Sequence, residues 1–323
     1  MPSAIRIHQP GGPEVMRWEP VEVGEPGPGQ VRLCQHAAGL NFIDVYHRTG
    51  LYPQPLPFTP GVEGAGVVES VGDGVEHVKS GDRVAYAGPI GGYAEFRLID
   101  ADRLVKLPDD FGFDLAAAMM LQGMTARMLL RSVYPVAAGD MILVHAAAGG
   151  VGLILCQWAA ALGAIVVGTV STDDKAELAR AHGCQHPIVH TRQDFVAEVA
   201  AITSGAKLPV VYDSVGSDTF LRSLDCLRPR GLMVSFGQSS GPVEAFSTSL
   251  LQQKGSLFLT RPTLFHYIAS RAELEASATE LFEIVASGGV RIQVKQRFAL
   301  AEAADAHRAL EARATSGSTI LTV

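Results

Sequence analysis

The clearest hydrophobic pattern lies near the middle of the chain. Met141-Ile-Leu-Val-His145 is a short, mostly apolar run bounded by Gly139-Asp140, which predicts a buried strand. An Ala/Gly turn from Ala146 to Gly152 follows at once, and Leu153 to Leu162, free of Pro and Gly, predicts a helix. Ile165-Val-Val-Gly-Thr169 predicts a second buried strand. Further apolar runs at Pro187–Val189, Val210–Asp213, Leu232–Phe236 and Ser256–Thr260 raise the count to six, with helical stretches between them. Six such strands predict a doubly wound parallel sheet of the Rossmann type, α/β in class, over residues 122–262.

The pattern before residue 122 is different. Ala4–His8, Gln30–His36, Gly66–Val71, Gly81–Tyr86 and Tyr93–Leu98 are short, β-branched segments separated by turns such as Gly11-Gly12-Pro13 and Gly24–Gly29. They predict a partly open antiparallel β-barrel. Helical patterns cover Asp114–Leu121 and continue through Thr125 to Ser132. After Pro262 a helix-rich tail, including Arg271 to Ser287, ends in the apolar run Ser318–Val323. That last strand has no neighbour of its own in the tail and is expected to return to the N-terminal domain. The expected domains are therefore 1–121 with 263–323, and 122–262.

A strand, a glycine turn and a helix in that order are the context of a dinucleotide site. The turn lets a pyrophosphate approach backbone N–H groups where the helix dipole favours negative charge. Gly149 allows the close approach and Gly152 lets the helix pack on the strand, while Ala147 replaces the first glycine of the usual fingerprint. An NAD site would carry Asp or Glu at the end of the second strand. Ser171 stands there instead, with Lys175 soon after, which suits the 2′-phosphate of NADPH. Asp173 and Asp174 are expected to cap the next helix.

Composition narrows the classes. The chain has 323 residues, 47% hydrophobic, with 34 glycines. No apolar run reaches the roughly eighteen residues a membrane span needs, and the first residues lack the layout of a signal peptide. The four cysteines, Cys34, Cys156, Cys184 and Cys226, form no CxxC pair, as expected of reduced thiols in a cytoplasmic protein. A net charge of −7 without a Lys/Arg block counts against nucleic acid. No HExxH or GxSxG motif occurs.

Pro60-Gly-Val-Glu-Gly-Ala-Gly66, Gly81-Asp-Arg-Val84 and the turn at 146–152 together resemble the medium-chain dehydrogenase/reductases. Asn41-Phe-Ile-Asp-Val-Tyr46, Tyr52-Pro53, Val211–Gly216, Ser235–Gly241 and Leu259–Pro262 are similar to the zinc-independent quinone oxidoreductases related to zeta-crystallin. The resemblance implies a GroES-like catalytic domain, NADPH in the interdomain cleft, a quinone-type substrate and a homodimer. Zinc relatives would carry a cysteine where the segment 39–41 begins, a histidine at the place of Val62, and a four-cysteine lobe after about Asp100. None is present, so no metal is expected.

Residues matching Asn41, Tyr46 and Tyr52 line the pocket beside the nicotinamide in that family; an amide or phenol there can donate to the oxygen that gains charge. The resemblance further assigns Thr125 to the nicotinamide side and Gly149, Gly150 and Val151 to the pyrophosphate. Ser214, Phe236, Gly237 and Ser239 are assigned at strand ends, and Arg313 near the cofactor. His190 stands where close relatives often have Tyr beside the adenosine phosphate. Glu63 is expected to be a structural carboxylate and His145 a satisfied core histidine. Segment 255–260 is an edge strand that could pair with a twofold mate. The activity expected is NADPH:quinone reduction, by hydride or by single electrons. Reduction of an enone or alkenal double bond, and a non-catalytic NADPH- or RNA-binding role, remain the rivals.

Overall fold

The chain enters as an antiparallel pair, β1 (Ser3–Ile7) and β2 (Met16–Pro20). The long β3 (Gln30–Leu40) leads into α1 (Phe42–Arg48), and β4 (Glu63–Val71), β5 (Arg83–Ala87), β6 (Phe96–Asp100) and β7 (Val105–Lys106) follow. Helices α2 (Phe113–Ala117) and α3 (Met120–Arg127) continue into a π-helical turn, Met128–Val133. Strands and helices then alternate: β8 (Met141–Val144), α4 (Gly150–Ala161), β9 (Ile165–Val170), α5 (Asp173–Ala181), β10 (His186–Val189), α6 (Phe195–Ile202) and β11 (Leu208–Asp213). Short helices α7 (Phe220–Ser223) and α8 (Ser249–Gln253) flank β12 (Leu227–Ser235) and precede β13 (Phe258–Thr260). The tail holds α9 (Leu264–Tyr267), α10 (Arg271–Ala286), β14 (Val294–Ala299), α11 (Ala303–Glu311) and β15 (Ser318–Thr322). This computed structural model describes residues 1–323.

Two units result. One comprises Met1–Met124, Ile268–Phe282 and Ile292–Val323; the other comprises Thr125–Tyr267 and Glu283–Arg291. The first is built on β3. Its residues 30–34 pair with β6 and its residues 37–40 with β15 along one edge, while β4 runs antiparallel along the other. The sheet order is β14-β15-β3-β4-β5-β7, with β6 on β3. Buried and half-buried positions alternate along the first half of β3, and Val31 and Leu33 join Val68, Val84, Ile99 and Leu104 in one apolar cluster. The second half is buried on both faces: Ala38 and Leu40 pack with Leu300, Ala303 and Ala306 at α11, and Gly39 lies against the Ala117 carbonyl of α2.

Several strands run beyond or beside their predicted limits. β3 continues to Leu40, β4 begins at Glu63, and β6 begins at Phe96 rather than Tyr93. β15 does return to β3, but it also has the neighbour that the sequence did not reveal, β14, which is parallel to it.

The second unit carries six strands, all parallel, in the order β10-β9-β8-β11-β12-β13. The order reverses between β8 and β11, and ligands bind outside the carboxyl ends of strands at such a switch point. Leu143, Val167, Ile188, Val211 and Met233 from five successive strands share one core with Phe195 and Phe220.

Candidate cofactor and active site

The turn after β8 leads into α4 at the switch point. Ala146 takes a positive φ of 52°, and the Gly149 N–H donates to its carbonyl at 2.9 Å. Gly149 is the N-cap of α4; it provides no side-chain cap, and the first turn holds no acidic residue. The leading N–H groups of a helix have no intrahelical acceptor, so those of Gly150, Val151 and Gly152 are available at the α4 end. A Cβ on Gly149 would meet nothing nearer than the Ala146 carbonyl at 3.2 Å. On Gly152 it would lie 2.3 Å from that same oxygen and 2.9 Å from Ala147 backbone, so α4 and the turn before it approach too closely for any side chain. Ala147, where a glycine was expected, is accommodated because Gly168 lies opposite: a Cβ there would sit 2.7 Å from the Ala147 methyl.

At the end of β9, Ser171 and Lys175 are half-buried on either side of the α5 start. Thr172, not Asp173 or Asp174, is the N-cap, accepting from the Lys175 N–H at 3.3 Å. The expected capping role of the two aspartates is corrected accordingly: they occupy the first turn, favourable to the helix dipole, and Asp173 has a second partner. Arg192 Nη1 and Nη2 each donate to one Asp173 oxygen at 2.5 Å. The two loops are tied by the His190 N–H to Val170 O at 3.0 Å and by Thr191 Oγ1 donating to Ser171 O at 3.1 Å. Arg192 was missed from the sequence, since nothing local brings it to the β9 end.

The loops after β11 and β12 are organised by Asp213, also missed. Its buried carboxylate accepts from the Val215 and Gly216 N–H groups at 2.7 and 3.1 Å and from Thr219 Oγ1 at 2.8 Å. Its carbonyl takes the Phe236 N–H at 2.8 Å, and the Ser239 N–H donates to Ser214 O at 3.2 Å. Ser214, Phe236, Gly237 and Ser239 are thereby held together at adjacent strand ends, each half-buried. His145 is a satisfied core residue, between Thr169 Oγ1 at 2.9 Å and Ser223 Oγ at 2.8 Å, and burial lowers its pKa. Thr125, in α3, is half-buried at the start of this unit.

In the other unit, Asn41 precedes α1. Its N–H donates to Asp44 Oδ2 at 2.9 Å, and Tyr93 Oη donates to the same oxygen at 3.0 Å. The Asn41 amide is fixed from both sides: Nδ2 donates to Glu63 Oε2 at 2.7 Å and Oδ1 accepts from Gln122 Nε2 at 3.1 Å. Ser318 Oγ in turn donates to Gln122 Oε1 at 2.8 Å, and the Leu121 N–H donates to Glu63 Oε1 at 2.8 Å. Glu63 is thus a structural carboxyl group, held by a side-chain amide as well as by backbone N–H groups. Gly39 makes room for it, since a Cβ there would lie 2.2 Å from Glu63 Oε2. Burial pushes the Glu63 pKa up to about 8, with the Asn41 hydrogen bond opposing, and burial pushes Asp44 up to about 7.

This arrangement leaves one Nδ2 hydrogen of Asn41 uncommitted by these bonds. Tyr46 and Tyr52 meet edge to face with ring centroids 5.2 Å apart, and the Tyr52 N–H donates to Tyr46 O at 3.0 Å. Tyr46 and Tyr52 are therefore paired beside α1, whose N-cap is Asn41. Arg313 is exposed just after α11 at a positive φ of 57°. Buried Val62 precedes Glu63, and no three His, Cys, Asp or Glu side chains gather in metal-ligand geometry.

Comparison with known proteins gives matches along the whole chain. The alcohol dehydrogenase GroES-like domain family model matches residues 27–109, and the zinc-binding dehydrogenase model matches residues 150–283. A quinone oxidoreductase of Pseudomonas aeruginosa is 53% identical over 323 residues, covering 99% of this chain and 99% of that protein. A 2-haloacrylate reductase of a Burkholderia species is 47% identical over 330 residues, with the same coverage. The crystal structure of Escherichia coli quinone oxidoreductase complexed with NADPH is similar at a TM-score of 0.98 and 47% identity, covering 99% of this chain and 100% of that one.

Proposed function

The chain belongs to the zinc-independent quinone oxidoreductases of the medium-chain dehydrogenase/reductase family, and from that membership we propose that it reduces quinones with NADPH. The observation that carries the reading is the full-length similarity to a quinone oxidoreductase solved with NADPH. The residues present fit that cofactor. The open N-terminus of α4 offers backbone donors and a positive dipole end to a pyrophosphate, unopposed by any acidic residue in its first turn. Ser171 and Lys175 offer a hydroxyl and a cation at the end of the second strand, where an NAD site would have a carboxylate. By the family resemblance Thr125 takes the nicotinamide side, Gly149, Gly150 and Val151 the pyrophosphate, and Ser214, Phe236, Gly237, Ser239, His190 and Arg313 are further cofactor positions.

Bound NADPH supplies hydride from its nicotinamide ring. The protein's share is to orient the quinone and to stabilise the charge that develops on its oxygen. The remaining Asn41 amide hydrogen and the hydroxyls of Tyr46 and Tyr52 donate to that oxygen, and Glu63 and Gln122 hold the amide so that no reorganisation accompanies transfer. The phenols act as hydrogen-bond donors, and the final proton comes from solvent, because a phenol is a weak acid.

A second reading, reduction of an activated C=C bond, is favoured by the 47% identity to a 2-haloacrylate reductase. Both are decided by following NADPH oxidation with 1,4-benzoquinone, a naphthoquinone, 2-chloroacrylate and a simple enone, with NADH alongside and a chelator in one set. Quinone turnover with NADPH, indifferent to chelator, is expected; turnover of the alkenes alone would replace quinone by alkene reduction. The same membership supports a homodimer through β13, a sheet-edge strand whose Phe258 and Leu259 are 61% and 39% exposed. Light scattering is expected to give twice 34.2 kDa; a monomer mass at micromolar concentration would remove that proposal. No helix is long and apolar enough to cross a membrane.

A further inference from the structure

The forked ion pair at the end of β9 stands where the adenosine ribose of a dinucleotide lies. In sheets of this kind an acidic residue near the end of the second strand binds a free 2′-hydroxyl, whereas an arginine nearby accommodates a 2′-phosphate. Here both are present and bound to one another. Asp173 follows β9 by three residues, and Arg192 reaches it from the loop after β10. Both are largely exposed, so neither is locked by packing, and an exposed pair of this kind contributes little to stability. Its loop is nevertheless positioned by two hydrogen bonds to the β9 end, from the His190 N–H and from Thr191 Oγ1.

We propose that Arg192 is a specificity residue for the phosphorylated dinucleotide and that Asp173 is its internal competitor. Arg192 presents two parallel donors whose geometry matches carboxylate and phosphate equally. Without a 2′-phosphate the fork closes on Asp173. When the phosphate arrives beside Ser171 and Lys175, Arg192 transfers its two donors from the carboxylate to the phosphate. NADH leaves the pair closed. Part of the affinity for NADPH is therefore spent on opening the pair, and the selectivity is set by the difference between two ion pairs rather than by one. This inference rests on the NADPH reading above.

The test is binding of NADPH and NADH, measured by calorimetry and nicotinamide fluorescence, to the wild type, Arg192→Gln, Asp173→Asn and the double variant. A bidentate charge-assisted contact corresponds to about a tenfold change in Kd. Arg192→Gln is expected to weaken NADPH about tenfold and to leave NADH within about twofold. Asp173→Asn is expected to tighten NADPH about threefold, and to do so only when Arg192 is present. An unchanged NADPH/NADH ratio in Arg192→Gln would overturn the proposal. So would tightening by Asp173→Asn in the Arg192→Gln background, because the carboxylate would then act by repelling the phosphate directly. A wild type that binds neither dinucleotide would instead remove the NADPH reading itself.

Discussion

Replacing Glu63 by Gln tests the buried network that fixes Asn41. Glu63 has no solvent exposure, and burial raises its pKa from 4.5 to about 8. Folding thus makes this carboxyl hold its proton more tightly than the unfolded chain does. Its contribution to stability is complete below pH 4.5 and is lost as the pH rises to about 8. At about 1.4 kcal/mol per pH unit within that window, the loss between pH 6 and pH 8 is about 2 kcal/mol. Glu63→Gln removes the titration, so the variant should lose about 2 kcal/mol less than the wild type over the same interval, whatever its absolute stability. Denaturant unfolding read through Trp18, which lies in the same unit, measures this in a Trp158→Phe background. Parallel losses in the two proteins would refute the buried-acid argument. The introduced amide would also turn a donor towards either Asn41 Nδ2 or the Leu121 N–H. The first case is relieved by flipping the amides of Asn41 and Gln122 together, with Ser318 Oγ rotating to accept. Asn41 would then offer its free hydrogen in a different direction, so kcat should fall while the variant stays folded.

Two further substitutions probe the second unit. Gly152→Ala places a methyl 2.3 Å from the Ala146 carbonyl; a loss of at least about 2 kcal/mol in thermal unfolding and weakened NADPH binding are expected, and a neutral result would contradict the close approach of α4 to the turn before it. His145→Ala leaves Thr169 Oγ1 without its imidazole partner and opens a cavity beside Phe195, while Ser223 Oγ keeps its bond to Thr219 O at 2.8 Å; a loss of about 2–4 kcal/mol is expected with kcat/KM little changed, whereas a large selective fall in kcat would give this histidine a catalytic role.

The elements that were legible in the sequence are those whose signal is local. β8, the Ala/Gly turn, α4 and β9 are contiguous, and burial on both faces makes each strand an uninterrupted apolar run. β14 was not legible because Val294–Ala299 alternates half-buried and exposed positions and contains Lys295, Gln296 and Arg297. β2, with Arg17 and Trp18 exposed, escaped for the same reason. Neither strand has a hydrophobic stretch of its own; each exists because a neighbour supplies its hydrogen-bond partners.

Sequence by itself therefore determined the class, the six-stranded order of elements, the dinucleotide turn and the family, because short-range periodicity and glycine geometry are properties of contiguous residues. It also singled out Asn41, Tyr46 and Tyr52, which lie in one segment. Only the tertiary structure decided what surrounds them. Asn41 is held by Glu63, 22 residues away, and by Gln122, 81 away, and Gln122 is held by Ser318, 196 away. Arg192 meets Asp173 across 19 residues because parallel pairing aligns the ends of β9 and β10. Buried polar groups must find partners wherever the fold brings them, and no local pattern records which partners those are.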